Sequence, residues 1–220
     1  MKKVVVFGNG QMAEIAHVYL GQDHEIEIVA FTVDKQFNYT GDFRGIPVVD
    51  FEDVAILYPP DNYFMFVPIG AKELNQLRTR TYLRAKALGY KLISYISPLA
   101  QVSPEVEIGD NCFIFESNVI QPFVKIGNNV ILWSGNHIGH HTTIGDNCFI
   151  ASHVVISGCV TVEPFCYFGV NSTVRDAITI SSSCIVGAGA LILKSTQCNQ
   201  VFRGQWTKPH SVSSDQIHVA

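Results

Sequence analysis

The stretch IGNNVI-LWSGNH-IGHHTT-IGDNCF, residues 126–149, opens every block of six on an aliphatic side chain. The same frame runs without insertion from Ile96 to Gln197, seventeen blocks that each begin with Ile, Leu, Val or Phe. One spacing held for that length is an internal repeat. A large apolar opener, with a small inward residue in fifth place (Ala100, Cys112, Val130, Thr142, Cys148, Ala190), describes a short strand followed by a corner. Three such units close a triangular coil. Coils stack at about 4.8 Å, the spacing of hydrogen-bonded strands, so residues eighteen apart lie above one another. Glycines directly after the opener (Gly109, Gly127, Gly139, Gly145, Gly169, Gly187) suit corners that need positive φ or close backbone approach. A β-sandwich would instead show a two-residue period and a turn every 8 to 12 residues or so.

Upstream, residues 4–7 form a short apolar run followed by Gly8-Asn9-Gly10-Gln11-Met12-Ala13 and a helical pattern over 14–20. That is strand, glycine turn and helix, with a second strand expected at 25–31 and Asp34 just beyond it. Such a turn exposes backbone N–H groups at a helix N-terminus, where phosphate is favourably held, although it also serves simply as tight strand-to-helix packing. Residues 41–58 read as irregular, 63–67 as a buried strand, 71–88 as a helix and 91–95 as a last strand. The fold class expected is therefore α/β plus β-solenoid: a small Rossmann-like parallel α/β domain over 1–94, a parallel β-helix of hexapeptide repeats over 95–197, and a capping tail over 198–220. Around ninety residues are too few for a complete dinucleotide-binding fold, and one mononucleotide half is what fits.

Composition narrows the function. The 220 residues are 47% hydrophobic and 15% charged, with a formal net charge of −4, which argues against a nucleic-acid partner. No run is long enough to span a membrane, and the apolar start breaks at Gly8 before it resembles a signal peptide, so a cytoplasmic protein is expected. Of the six cysteines, Cys112, Cys148, Cys166 and Cys184 fall on the inward fifth position and read as small core residues rather than disulfides or zinc ligands.

Histidines cluster at His137, His140, His141 and His153. His140 takes the third, outward place of its block, and Gly158 lies eighteen residues later, directly above it. An imidazole, with an ordinary pKa of about 6.5, can serve as a base at neutral pH. A glycine beside it leaves space and an unobstructed N–H. Acyl transfer to an amine needs both: a base for the proton and a donor for the oxyanion.

The unbroken hexapeptides resemble those of the left-handed β-helix acyltransferases. With the glycine-turn domain in front, the chain is similar along almost its whole length to the bacterial nucleotide-sugar N-acetyltransferases and the sialic-acid O-acetyltransferase-like proteins. The resemblance implies a left-handed homotrimer that uses acetyl-CoA, needs no metal and acetylates the amino group of a nucleotide-linked amino sugar. It implies His140 as general base with His141 beside it, where relatives carry an acidic residue. Gly158, Val170 and Ala188 match acetyl-CoA contacts, whereas Phe149 stands where a relative's histidine touches the cofactor. Asn9, Gly10, Gln11 and Asp34 match the substrate-binding segment, in a turn one residue shorter. O-acetylation of a sugar hydroxyl, a non-catalytic solenoid scaffold and a metal-dependent hexapeptide enzyme are the alternatives.

Overall fold

The computed structural model describes residues 1–205, 207–209 and 211–212. Its first part is a six-stranded sheet of order β3-β4-β2-β1-β5-β6, built from Lys2–Phe7 (β1), Ile26–Val33 (β2), Asp42–Phe43 (β3), Ile46–Asp50 (β4), Phe64–Phe66 (β5) and Lys91–Leu92 (β6). All pairings except β3 with β4 are parallel. Val4, Val5, Val6, Ala30, Phe31, Met65 and Phe66 are fully buried, which is why these strands read as continuous apolar runs. Helices Gln11–Leu20 (α1), Val54–Leu57 (α2) and Gln76–Ala87 (α3) complete this part. The chain leaves β1 in one direction through α1 to β2 and returns to the other side at β5. The C-terminal ends of β1 and β5 thus flank the point where strand order reverses, the usual ligand crevice of an open parallel sheet.

From Tyr95 the chain winds through two-residue strands separated by corners, stacked into parallel sheets of seven, six and five strands. The strands pair at intervals of eighteen residues, as with Ile120 on Ile138 and Ile138 on Ile156. From Ile114 onward every block opener is buried, and with the fifth-position residues they make one continuous core, each large aliphatic side chain contributing about 1.5–3 kcal/mol. The four inward cysteines are buried and free.

Of the two reasons expected for the corner glycines, close backbone approach is the one that applies. From the block of Ile108 to that of Val186, left-handed backbone falls on the fourth residue, for example Asn111, Asn129, His141 and Asn147 with φ between 54° and 62°, and not on the second-position glycines. Asparagine tolerates that region at little cost. The second-position glycines are required by closeness: a Cβ on Gly139 would lie 2.5 Å from the Gly158 nitrogen.

The sixth residue of each block points outward, and it distinguishes the three faces. One face carries Phe113, Ile131, Phe149 and Tyr167, and the small sheet domain packs there, sharing a core with Val4, Phe31 and Phe66. Tyr19 of α1 stands edge-on to Tyr95, Phe113 and Phe115 with ring centroids 4.9 to 5.9 Å apart. A second face carries Glu107, Lys125, Thr143, Thr161 and Thr179, and the third Gln101, Val119, His137, Val155, Thr173 and Leu191.

Three expectations change. Residues 41–58 are not irregular: β4 extends the sheet by pairing Phe31 with Val48, and Pro47, which argues against a strand, sits in the half of β4 that faces only the two-residue β3. The helix expected at 71–88 begins at Gln76, because Glu73, Leu74 and Asn75 all take positive φ. The run 91–95 is divided, with Lys91–Leu92 closing the sheet and Tyr95–Ile96 starting the first coil. At the far end Val201–Phe202 pairs with Ile185–Val186, while Trp206 of the expected cap lies outside the described residues.

Candidate active site

Two sites emerge, one in each part of the chain. In the coils, the His140 backbone N–H donates to Gln121 Oε1 at 2.9 Å, which anchors the corner to the coil below. The ring leans over Gly158, so that a Cβ there would sit 2.8 Å from both Cε1 and Nε2. Glycine is therefore a steric requirement of this imidazole position. Nδ1 of His140 lies 3.1 Å from Nδ1 of His141, and His141 packs tilted against Phe123 at 4.8 Å. The left-handed φ of 58° at His141 is what turns its side chain back toward its neighbour. Among the described residues Nε2 of His140 has no protein partner, and the Gly158 N–H has no acceptor. An unpartnered ring nitrogen and a free backbone donor thus stand side by side on an exposed corner.

Val170 and Ala188 are stacked one coil apart and exposed, with the Gly189 N–H donating to the Val170 carbonyl at 2.9 Å. Their own N–H groups also lack acceptors among the described residues. Block position places them on a different corner from His140 and Gly158, across the face that carries Val119, His137 and Val155. One chain by itself therefore does not bring the two sets together. His153 folds onto Gly135 at the Val170 corner, and His137 lies on the face between. Phe149 is stacked on Tyr167 at 5.5 Å beneath the sheet domain, so its side chain serves packing.

In the sheet domain a cavity of about 560 Å³ opens at the reversal point and collects all four expected residues there, Asn9, Gly10, Gln11 and Asp34. Gly8 turns with φ of +113°, and Gly10 precedes α1 as an N-cap with no side-chain bond, leaving the first N–H groups of the helix toward the cavity. Asn9 Nδ2 donates to the Phe37 carbonyl at 3.3 Å, holding the turn after β2 in place. Asp34 is paired with Arg84 at 2.6 Å, and Arg84 lies 4.4 Å over the Phe51 ring. Lys72 and Arg80 also line the cavity. With Asp34 neutralised by Arg84 and Arg80 paired with Glu73 at 2.8 Å, Lys72 is the lining cation that has no carboxylate partner among the described residues. Sequence reading missed Lys72, Arg80 and Arg84; the spacing of Leu77, Arg80, Thr81 and Arg84, one face of α3, was the signal available.

The profile of the bacterial transferase hexapeptide family (six repeats) matches residues 123–158. No curated protein sequence matches the chain. Among solved structures, PerB from Caulobacter crescentus, determined with CoA and GDP-perosamine, is 26% identical over 93% of this chain and 95% of that one, with a TM-score of 0.81. The acetyltransferase domain of PglB from Neisseria gonorrhoeae FA1090 is 25% identical over 96% of this chain and 100% of that one, with a TM-score of 0.79. This chain is an acyltransferase whose coils carry the hexapeptide repeat. The similarity extends through the glycine-turn domain as well as the left-handed β-helix of this acyltransferase. Among the described residues of the acyltransferase, no three His, Cys, Asp or Glu side chains are grouped to hold a metal, and no helix is long and apolar enough to cross a membrane.

Proposed function

We propose that the protein transfers the acetyl group of acetyl-CoA to the amino group of a nucleotide-linked amino sugar. The observation that carries this reading is the pairing of a free imidazole nitrogen with the free Gly158 N–H in a chain that also holds a cationic pocket at a glycine turn. In this reading residues 1–94 bind the nucleotide sugar, 95–197 perform the transfer, and 198–220 cap the helix. The likeness to PerB, solved with CoA and GDP-perosamine, supports the choice of both substrates.

The amine attacks the thioester carbonyl directly. Nε2 of His140 takes the amine proton, the Gly158 N–H meets the developing oxyanion, and as the tetrahedral intermediate collapses the imidazolium returns that proton to the sulfur and CoA leaves as its thiol. His141 supplies what an acidic neighbour supplies elsewhere. With its Nδ1 as acceptor it fixes the His140 tautomer that presents Nε2 as a base, and the bond becomes charge-assisted once His140 is protonated. In the pocket, Lys72 and the N-terminus of α1 suit a diphosphate, with Arg80 and Arg84, paired to Glu73 and Asp34, beside them. In this reading the Asp34 oxygen not paired with Arg84 accepts from a sugar hydroxyl of the nucleoside.

Val170 and Ala188 offer free N–H groups to the pantetheine arm from a second corner. A homotrimer in which the His140 corner of one subunit meets the Val170 corner of the next would complete the site, with the face of Val119, His137 and Val155 between subunits. Six free cysteines accord with a cytoplasmic location.

The test is to incubate the protein with acetyl-CoA and UDP-, dTDP- and GDP-linked amino sugars and identify the product by mass. An acetyl group that survives hydroxylamine is an amide, as this reading requires. A hydroxylamine-labile ester would establish the O-acetyl alternative, and no acetylated sugar at all would refute the proposal.

A further inference from the structure

Arg78 is fully buried and, among the described residues, has no carboxylate partner. Its guanidinium spans the joint between the two parts of the chain. On one side Nη1 donates to the carbonyls of Ile69 and Gly70 at 3.1 and 3.0 Å and to Asn75 Oδ1 at 3.2 Å. On the other, Nε and Nη2 donate to the Asn129 carbonyl at 3.3 and 3.2 Å, and Nη2 also to the carbonyls of Asn147 and Cys148 at 3.3 and 3.1 Å. Burial lowers its pKa to about 10, so the group remains charged at neutral pH. Every N–H is engaged, which is what a buried cation without a counter-ion requires.

The carbonyls on either side are functionally distinct. Ile69 and Gly70 form the wall of the 560 Å³ cavity opposite the glycine turn. Asn129, Asn147 and Cys148 belong to stacked corners of the coils on either side of His140 in sequence. Around the contact, Asn111 donates to Asn129 Oδ1 and Asn129 to Asn147 Oδ1, each at 2.8 Å, while Asn111 Oδ1 accepts the Val67 N–H at 2.8 Å. Helix α3 is thus two-sided: Leu77, Arg80, Thr81 and Arg84 line the cavity, while Arg78 and Tyr82 reach the coils, Tyr82 donating to Asp110 at 2.6 Å.

We infer that Arg78 is a positioning residue that sets the nucleotide pocket at a fixed distance and angle from the acetyl-transfer corner. A planar fork can hold carbonyls on both sides of the joint at once, whereas an ammonium, a single point with three donors, can serve one side. The inference rests on the proposed function, because only an acceptor whose two ends occupy the two sites senses the joint.

The test uses the full chain with Arg78→Lys, and Asn75→Gly as a milder variant that keeps the positive φ while removing the Asn75 side chain. Amide exchange at Val67, Ile69 and Asn129 should accelerate in both variants while Thr173 and Ile185 in distant coils exchange as before. With acetyl-CoA saturating, kcat/KM for a nucleotide-linked amino sugar should fall by about 10²-fold in Arg78→Lys, the usual cost of misplacing a substrate by an ångström. The same sugar without its nucleotide should be acetylated at the wild-type rate. Equal losses for the two acceptors, or unchanged exchange at Val67 and Ile69, would overturn the inference. A wild-type protein that acetylates no nucleotide-linked sugar would refute the function, and the exchange measurement would still decide whether Arg78 holds the joint.

Discussion

At the scale of single residues the proposed chemistry rests on His140, and its placement follows from an eighteen-residue stack. His140→Ala is expected to lower kcat by about 10²- to 10⁴-fold, the usual worth of positioned proton transfer, with acetyl-CoA binding retained because the coil core lies at other positions. Gly158→Ala should also act on kcat, since its Cβ would meet the imidazole at 2.8 Å and push Nε2 off line. His141→Ala should cost about tenfold, or ~1.4 kcal/mol of barrier, if it only fixes the tautomer; a loss equal to that of His140→Ala would move the base one residue along. Pre-steady-state measurement of the chemical step separates these cases. His140 beneath Gly158 was legible because the period alone brings them together. The contact between the two imidazoles was not, because it depends on the left-handed backbone at His141. Nor was Gln121, whose role depends on a side-chain rotamer.

Among the elements, the face beneath the sheet domain carries the most testable packing. Phe113 is buried among Phe66, Tyr95 and Phe115, and Phe113→Ala should destabilise the fold by about 3–5 kcal/mol in chemical denaturation. Thr161, on the polar face and exposed, should tolerate the same change within about 0.5 kcal/mol. A second contact ties α1 to the coils, with Tyr19 donating to Glu116 at 2.7 Å and Ser134 to its other oxygen at 2.6 Å. Burial raises the Glu116 pKa, but the bonds from Ser134 and Tyr19 outweigh it and hold the carboxyl below its usual range. The stabilisation is therefore full above the unfolded carboxylate pKa and lost as pH falls through the lower folded value. Tyr19→Phe should destabilise the protein at neutral pH, and the difference from wild type should shrink in acid; a difference that grows in acid would contradict the assignment. The hexapeptide strands were readable to the residue because burial enforces the period. The sixth-position aromatics that mark the docking face repeat every eighteen residues and were readable too, but only by sorting blocks into three faces. Strand β4 escaped because Pro47 argues against a strand and only the neighbouring partners show that its missing N–H costs nothing essential.

For the whole molecule, the sequence indicated two parts in order but not how they join, since a buried arginine reads as a surface residue until its six acceptors are assembled in space. Asp34→Ala should raise KM for the sugar nucleotide and leave the KM for acetyl-CoA unchanged, because Asp34 lines only the sheet-domain cavity; equal effects on both would contradict the division of labour. Sedimentation at micromolar concentration should show a trimer, as required if the His140 and Val170 corners meet only between subunits, and a monomer would leave the site without its second half. The most direct measurement is CoA thiol release on adding a panel of nucleotide-linked amino sugars to the wild-type protein and to His140→Ala, each with acetyl-CoA. At least one sugar should drive release equal to the sugar added, with the rate in His140→Ala lower by about 10²-fold or more; no sugar-dependent release, or equal rates in the two proteins, would contradict the account.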